Sequence, residues 1–271
     1  MGTPSPNEEW AARARSFGNV ALQYDRARPS YPAAMVDDIV AMLPGRRVVE
    51  VGAGTGKATV SFGVRRLALT CVEPDPRMAA VLAENCRSMP DVEVVVSTFE
   101  GWQPTGSYDG LLAAQSWHWT DGATRYQKAA AVLRERGVLA LFWNHVSWRL
   151  TPIHAAIDDV YRRHGIDTHD NRSPSRTNPS AFTDDSLRDE LSKLPTFSDV
   201  DVRRYPTAQT YSAREWCDYL GSTSDHLLLE PAAREGLLAD IARVIDDEGA
   251  GVIEIHRCCD LYLAWRTGVP V

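Results

Sequence analysis

The stretch Glu50-Val51-Gly52-Ala53-Gly54-Thr55-Gly56 constrains this chain more than any other part of it. It closes a short apolar run that begins at Val48, and a helical pattern opens near Lys57. A buried strand that turns through glycines straight into a helix is the joint of a βα unit. Glycines there let the backbone pass close to a ligand. The same rhythm continues downstream. Apolar runs at Leu67–Val72, Val92–Val96, Tyr108–Ala114 and Val138–Trp143 predict four more strands. Helices are predicted between or before them. One runs from Pro32 to about Leu43 with Met35, Ile39 and Met42 on one side, and one covers Pro74–Cys86 with Met78, Val81 and Leu82 repeating. Another is capped by Asp121 and places Tyr126, Ala130 and Leu133 on a face. Strands alternating with helices give an α/β protein with a doubly wound parallel sheet.

After Trp143 the rhythm breaks. Residues 150–195 read as one or two helices joined by a polar stretch, His169 to Ser180, too long for a simple connection. Val200 and Val202 alternate with Asp199, Asp201 and Arg203, a half-buried strand. Helices follow near 213–220 and from Pro231, the latter with Leu237, Leu238, Ile241, Val244 and Ile245 on one stripe. The last strand puts Ile253, Ile255, Cys259, Leu261, Leu263 and Trp265 on one face and His256 on the other. At the other end, residues 1–7 read as a frayed tail, followed by a helical pattern to about Phe17. The expected divisions are an N-terminal helical lid (1–44), a ligand-binding core (45–145), a helical substrate cap (146–195) and a C-terminal part of the sheet with inserted helices (196–271).

The glycine turn names a ligand class. Glu73 ends the next strand, where an acid can take both hydroxyls of a ribose, so the ligand contains a nucleoside. Three readings compete. A phosphate-binding loop needs four residues between its first Gly and Gly-Lys-Ser/Thr, and Ala58 follows Lys57 here. A dinucleotide turn wants G-x-G-x-x-G, and these glycines run G-x-G-x-G. Glu50 beside the turn is a poor neighbour for a pyrophosphate and a good one for a cation. S-adenosylmethionine carries a sulfonium, an ammonium and no phosphate. A turn without any ligand remains the bland alternative.

The segment VVEVGAGTGKAT, with VEPDPRM, STFEGW and AAQSWHW behind it, resembles the class I S-adenosylmethionine-dependent methyltransferases over about residues 17–145. The opening FGNVALQYDRARPSYP resembles a bacterial small-molecule branch, distantly like trans-aconitate methyltransferases. The resemblance implies a Rossmann-like, seven-stranded sheet in the order 3-2-1-4-5-7-6 with strand 7 antiparallel. The candidates near 198–206 and 252–265 would supply strands 6 and 7. It also implies that Glu50, Gly52, Gly54 and Gly56 form the cofactor turn. Glu73, with Pro74 after it, would serve the ribose, Thr98 and Phe99 would sit by the adenine, and Gln115 would line the methionine end. Many relatives carry an aspartate where this chain has Thr98.

Other residues qualify by position. Trp117-His118-Trp119 follows the fourth strand, where ligands of α/β sheets bind. The tryptophans either wall a substrate pocket or simply pack, and His118 either removes a proton or bonds locally. Trp143 and Asn144 end the fifth strand and have a weaker claim on the pocket. Tyr24, Arg28 and Tyr31 either pack at the N-terminus or form a lid, with Arg28 and Tyr24 at the cofactor's carboxylate and Tyr31 at the substrate. The expected function is in-line methyl transfer to a small-molecule acceptor, an oxygen or a carboxylate. The alternatives are an enzyme of this fold that cyclises or cleaves S-adenosylmethionine, and a non-catalytic cofactor-binding regulator. Net charge is −7, which disfavours nucleic acid as a partner. Five cysteines with no C-x-x-C argue against a disulfide scaffold or a metal site. No apolar run is long enough to span a bilayer, so a cytoplasmic, unanchored protein is expected, with no membrane partner.

Overall fold

The computed structural model describes residues 17–147, 151–166 and 184–270. The helical pattern expected ahead of Phe17 and the polar stretch His169–Ser180 lie outside them. Seven strands form one mixed sheet in the order β3-β2-β1-β4-β5-β7-β6. They are β1 (Arg47–Val51), β2 (Ala68–Glu73), β3 (Val92–Val96), β4 (Tyr108–Ala114), β5 (Leu133–Ser147), β6 (Phe197–Ser212) and β7 (Val252–Arg266). The pairs β1–β2, β1–β4, β2–β3 and β4–β5 are parallel. Thr267 N donates to the Thr196 carbonyl, and Ala213 N donates to the Gly251 carbonyl. The end of each of β6 and β7 thus meets the start of the other, and the two are antiparallel.

The chain divides into two compact units. A sheet unit comprises Pro29–Asn144, Phe182–Tyr205 and Cys259–Val271, and a helical unit comprises Met1–Arg28, His145–Ala181 and Pro206–Cys258. The central strands β1 and β4 are buried on both faces, as parallel strands covered by helices must be. Val49, Leu111, Leu139 and Tyr262 enter one core, and Val48, Leu112, Val138 and Leu261 enter the other. Against the second core lie α2 (Ala33–Met42), α3 (Lys57–Gly63) and α4 (Pro76–Asn85) through Met35, Ile39, Phe62 and Leu82. Against the first lie α5 (Arg125–Val132) and α7 (Asp184–Ser192) through Tyr126, Ala129, Leu187 and Leu191. The helical unit packs α6 (Pro152–Arg163), α8 (Ala213–Gly221) and α10 (Pro231–Glu248) around Ile157, Tyr161, Trp216, Leu237 and Ile241. It also holds α1 (Ala21–Ala27) and the short α9 (Ser224–Leu227). Ser212 and Glu215 form a capping box at the start of α8, each accepting the other's backbone N–H.

Several boundaries differ from the expectations. Asp121 does not cap α5. It closes a turn by accepting from Ala123 N and Thr124 Oγ1, and the helix begins at Arg125. The helix after β2 begins at Pro76 because the Asp75 carboxylate accepts from Arg77 N and Met78 N. β5 starts at Leu133, earlier than its apolar run, and carries polar residues through a register shift opposite Tyr108 and Gly110. β6 continues to Ser212 through exposed residues that show no apolar alternation. Among the described residues no helix is long and apolar enough to cross a membrane.

Candidate functional site

Parallel pairing brings the carboxyl ends of β1, β2, β3 and β4 to one edge of the sheet unit. Val51 is level with Val72, and Glu73 with Val96. The turn after β1 is built by left-handed backbone at Gly52, Gly54 and Gly56. The three glycines serve different needs. A methyl group on Gly52 would lie 2.5 Å from Ser116 Cβ, and one on Gly56 would lie 2.6 Å from Leu82 Cδ1. Both positions are therefore packed against protein. At Gly54, among the described residues other than its chain neighbours, the only atom within 4 Å of an added methyl is Met78 Cε, at 3.6 Å. Gly54 alone faces open space, the cradle a ligand needs.

Glu73 borders that space, and Glu50 lies in the strand that leads into the turn. Glu73 is buried and accepts Gly54 N at 2.8 Å on one oxygen and Asp75 N at 2.9 Å on the other. Burial raises its pKa, opposed by those two amides. A carboxylate oxygen has two lone pairs, so each oxygen can still accept a ribose hydroxyl. Glu50 is fully buried on the α3 side of β1. The Thr59 hydroxyl donates to its Oε2 at 2.7 Å, and Oε1 has no hydrogen-bond partner among the described residues. Burial pushes its pKa up to about 8, and nearby Glu73 adds to the shift. An orphaned, buried carboxyl oxygen beside an open glycine fits a ligand that brings donors and positive charge. S-adenosylmethionine satisfies both conditions.

The other expected residues fall as follows. Gln115 directly follows β4 with left-handed backbone at φ 54°, its N–H donated to the Phe142 carbonyl. For a non-glycine residue this costs roughly 1–2 kcal/mol, and such strain concentrates at functional sites. Ser116, which the sequence reading did not single out, donates its hydroxyl to the Val51 carbonyl and ties β4 to the glycine turn. Thr98 is exposed after β3, where its hydroxyl accepts Gly101 N. The Phe99 ring is buried against Trp117 and under the Lys128 ammonium, so it can offer a ligand only its backbone. Pro74 follows Glu73 and leads into the Asp75 cap.

Trp117 is buried against Tyr126 and Phe99. Trp119 is half-buried, its ring 4.7 Å from that of His118. Trp143 stands edge-on to Tyr262 and donates its indole N–H to His118 Nδ1 at 3.3 Å. An indole nitrogen can only donate, so His118 Nδ1 accepts and the proton of the neutral ring sits on Nε2. Burial, with Arg125 nearby, lowers the pKa of His118 to about 4. The ring is therefore neutral near pH 7 and offers a donor, and acting as a base requires breaking the Trp143 bond. Tyr31 packs edge-on against Phe142 at 4.9 Å. Asn144 Nδ2 is buried without a partner among the described residues. Tyr24 and Arg28 belong to the helical unit, where the guanidinium lies 4.9 Å from the Tyr24 ring centre.

Comparison with known proteins finds methyltransferases. A family model described as a methyltransferase domain matches residues 48–137. An uncharacterized methyltransferase of Mycobacterium tuberculosis is 39% identical over 136 residues, which are 50% of this chain and 54% of that protein. The chain thus spans about half the length of this relative. A trans-aconitate 2-methyltransferase of Klebsiella pneumoniae is 26% identical over 207 residues, covering 74% of this chain and 76% of that one. Among solved structures, a methyltransferase of Thiobacillus denitrificans in complex with S-adenosyl-L-homocysteine superposes with a TM-score of 0.53 at 13% identity, covering 92% and 97% of the two chains. That last likeness is one of fold.

Proposed function

From the premise that this chain carries a class I S-adenosylmethionine-dependent methyltransferase domain, we propose that it transfers a methyl group to a carboxylate oxygen of a small acid. The observation that carries the reading is the Glu50–Gly56 turn, with its open position at Gly54 and the Glu73 carboxylate beside it. When bound, S-adenosylmethionine supplies a methyl group on a sulfonium sulfur, open to in-line displacement. The chain's own part is to hold and align. Glu73 takes the ribose hydroxyls with its remaining lone pairs, and Glu50, protonated near pH 7 with its pKa pushed up to about 8, supplies negative charge when a bound cation displaces that proton. Alignment and exclusion of water are what such a displacement needs from a protein.

Two observations support a carboxylate acceptor. The Klebsiella relative is named for methylation of a tricarboxylic acid and is matched over most of its length. His118, the histidine placed just after β4, has Nδ1 engaged by Trp143 and holds its proton at Nε2. A carboxylate needs no base, whereas a hydroxyl does. The test is incubation with S-adenosylmethionine and a panel of small carboxylic acids, followed by product analysis. S-adenosylhomocysteine with a methyl ester is expected. Methylthioadenosine would mean that the cofactor is cleaved, and tight binding with no product from any acceptor would make the protein a regulator.

A further inference from the structure

We propose that Arg257, together with Arg28, forms an anion site within the helical unit that takes the carboxylate of a small ligand. Arg257 lies in the first half of β7. It follows Ile253 and Ile255 at the two-residue period of an inward face, so the strand aims a guanidinium where it aims two isoleucines. Only 4% of Arg257 is exposed. Its surroundings are rings: the Tyr211 and Tyr219 centres lie 5.0 Å from the guanidinium carbon, and that of Trp216 lies 6.0 Å away. Among the described residues its Nε and one terminal nitrogen have no hydrogen-bond partner, and no carboxylate pairs with it.

Aromatic faces attract a buried guanidinium, but they leave its N–H groups unmet. A buried charge without a counterion is strongly disfavoured. A second cation makes the case sharper. The Arg28 guanidinium lies 5.0 Å from the centre of the same Tyr219 ring. One of its terminal nitrogens donates to the Ser222 carbonyl, and its Nε is buried without a partner among the described residues. The Trp216 indole, stacked on Tyr219 at 4.9 Å, also has an N–H with no partner among the described residues. Every unmet group in the cluster is a donor, and two of the residues are positive. The missing component is therefore an acceptor that carries negative charge. A planar carboxylate matches the guanidinium fork and can lie against flat rings.

That carboxylate can come from an acceptor acid or from the amino-acid end of the cofactor. Only its assignment to an acceptor rests on the function proposed above, because anion binding can be measured without any methyl transfer. The test begins with melting of the wild-type protein in acetate, succinate, citrate, trans-aconitate or phosphate, each against sodium chloride at equal ionic strength. It continues with titration of S-adenosylhomocysteine and methylthioadenosine into wild type, Arg257→Met and Arg257→Lys. A carboxylate-specific rise in melting temperature that Arg257→Met abolishes, with S-adenosylhomocysteine affinity unchanged, assigns the site to an acceptor. A fall of at least tenfold in S-adenosylhomocysteine affinity, with methylthioadenosine unaffected, assigns it to the cofactor's carboxylate. Stabilisation by phosphate alone overturns the proposal. So does the absence of any anion effect in wild type combined with unchanged titrations in the variants, which would leave Arg257 as a packing residue. If Arg257→Met does not fold, the wild-type anion series and Arg257→Lys decide the question.

Discussion

Glu50 shows how one side chain ties stability to ligand binding. An ordinary glutamate titrates near 4.3, and burial moves this one to about 8. Between those values the folded protein keeps a proton that the unfolded chain has released. The unfolded state binds fewer protons there, so stability falls as pH rises from about 4.3 to about 8 and then levels off. Glu50→Gln removes the titration. Urea midpoints at pH 6 and pH 8.5 should therefore converge in the variant relative to wild type, whose loss should be on the order of a few kcal/mol. Equal slopes in the two proteins would place Glu50 among ionised residues. A cationic ligand favours the charged form, so cofactor binding near pH 7 should release a proton, read as a buffer-dependent heat. His118 belongs to the same scale. With its pKa lowered to about 4, the ring is uncharged across pH 5.5–8, so at saturating S-adenosylmethionine the wild-type rate should be flat there. His118→Ala should cost about tenfold in kcat/KM, the worth of one lost hydrogen bond of about 1.4 kcal/mol. A loss of ~10²–10⁴ with an acid limb near pH 6–7 would instead make it a general base.

At the scale of elements, the β1–α3 turn separates a structural glycine from a ligand-facing one. Gly56 has φ 92° and is in contact with Leu82, so Gly56→Ala adds overpacking of ~1–3 kcal/mol to ~1–2 kcal/mol of backbone strain. Gly54→Ala carries only the strain, because its methyl meets nothing closer than 3.6 Å. Urea unfolding should rank Gly56→Ala well below Gly54→Ala in stability. Titration should show that Gly54→Val folds yet does not bind S-adenosylhomocysteine. A Gly54→Val variant that binds normally would move the ligand off this turn. The strands around the turn were legible because both their faces are covered, so their apolar runs are continuous. The early start of β5 was not legible, because Arg134 is there to pair with Asp109 and Glu135 and Arg136 are exposed. Nor was the true start of α5, where Asp121 spends its carboxylate on a turn. Ser116 and Thr59 escaped notice because a hydroxyl that bonds a strand carbonyl or a buried acid leaves no periodic trace. Arg257 did leave one: it interrupts an apolar alternation from Ile253 to Trp265. Its meaning emerged only when Tyr211, Trp216 and Arg28, from distant segments, came to surround it.

For the whole molecule, the division into two units makes a spatially resolved prediction. The sheet unit holds Glu50, the glycine turn, Glu73, Thr98 and Gln115, all contributed by residues between β1 and β4. The helical unit holds Tyr24 and Arg28 and is assembled from three separate stretches of chain. Amide hydrogen exchange in the presence of S-adenosylhomocysteine reads each peptide separately, and slowing reports the elements that a ligand holds closed. At a ligand concentration a hundred times the dissociation constant, the stabilisation is about 2.7 kcal/mol, enough for roughly a hundredfold slowing of amides that exchange through a ligand-free open state. The expected pattern is strong protection of 51–57, 72–76 and 97–100. Gly54 N and Asp75 N should be prominent, since both already donate to Glu73, the carboxylate proposed to take the ribose. If Tyr24 and Arg28 also hold the cofactor, peptides covering 20–30 and 216–223 should slow with S-adenosylhomocysteine but not with methylthioadenosine, which lacks the amino-acid carboxylate. Protection confined to the sheet unit would remove Tyr24 and Arg28 from the cofactor. Protection absent from 51–57 would remove the cofactor from the glycine turn and with it the basis for reading this chain as a methyltransferase.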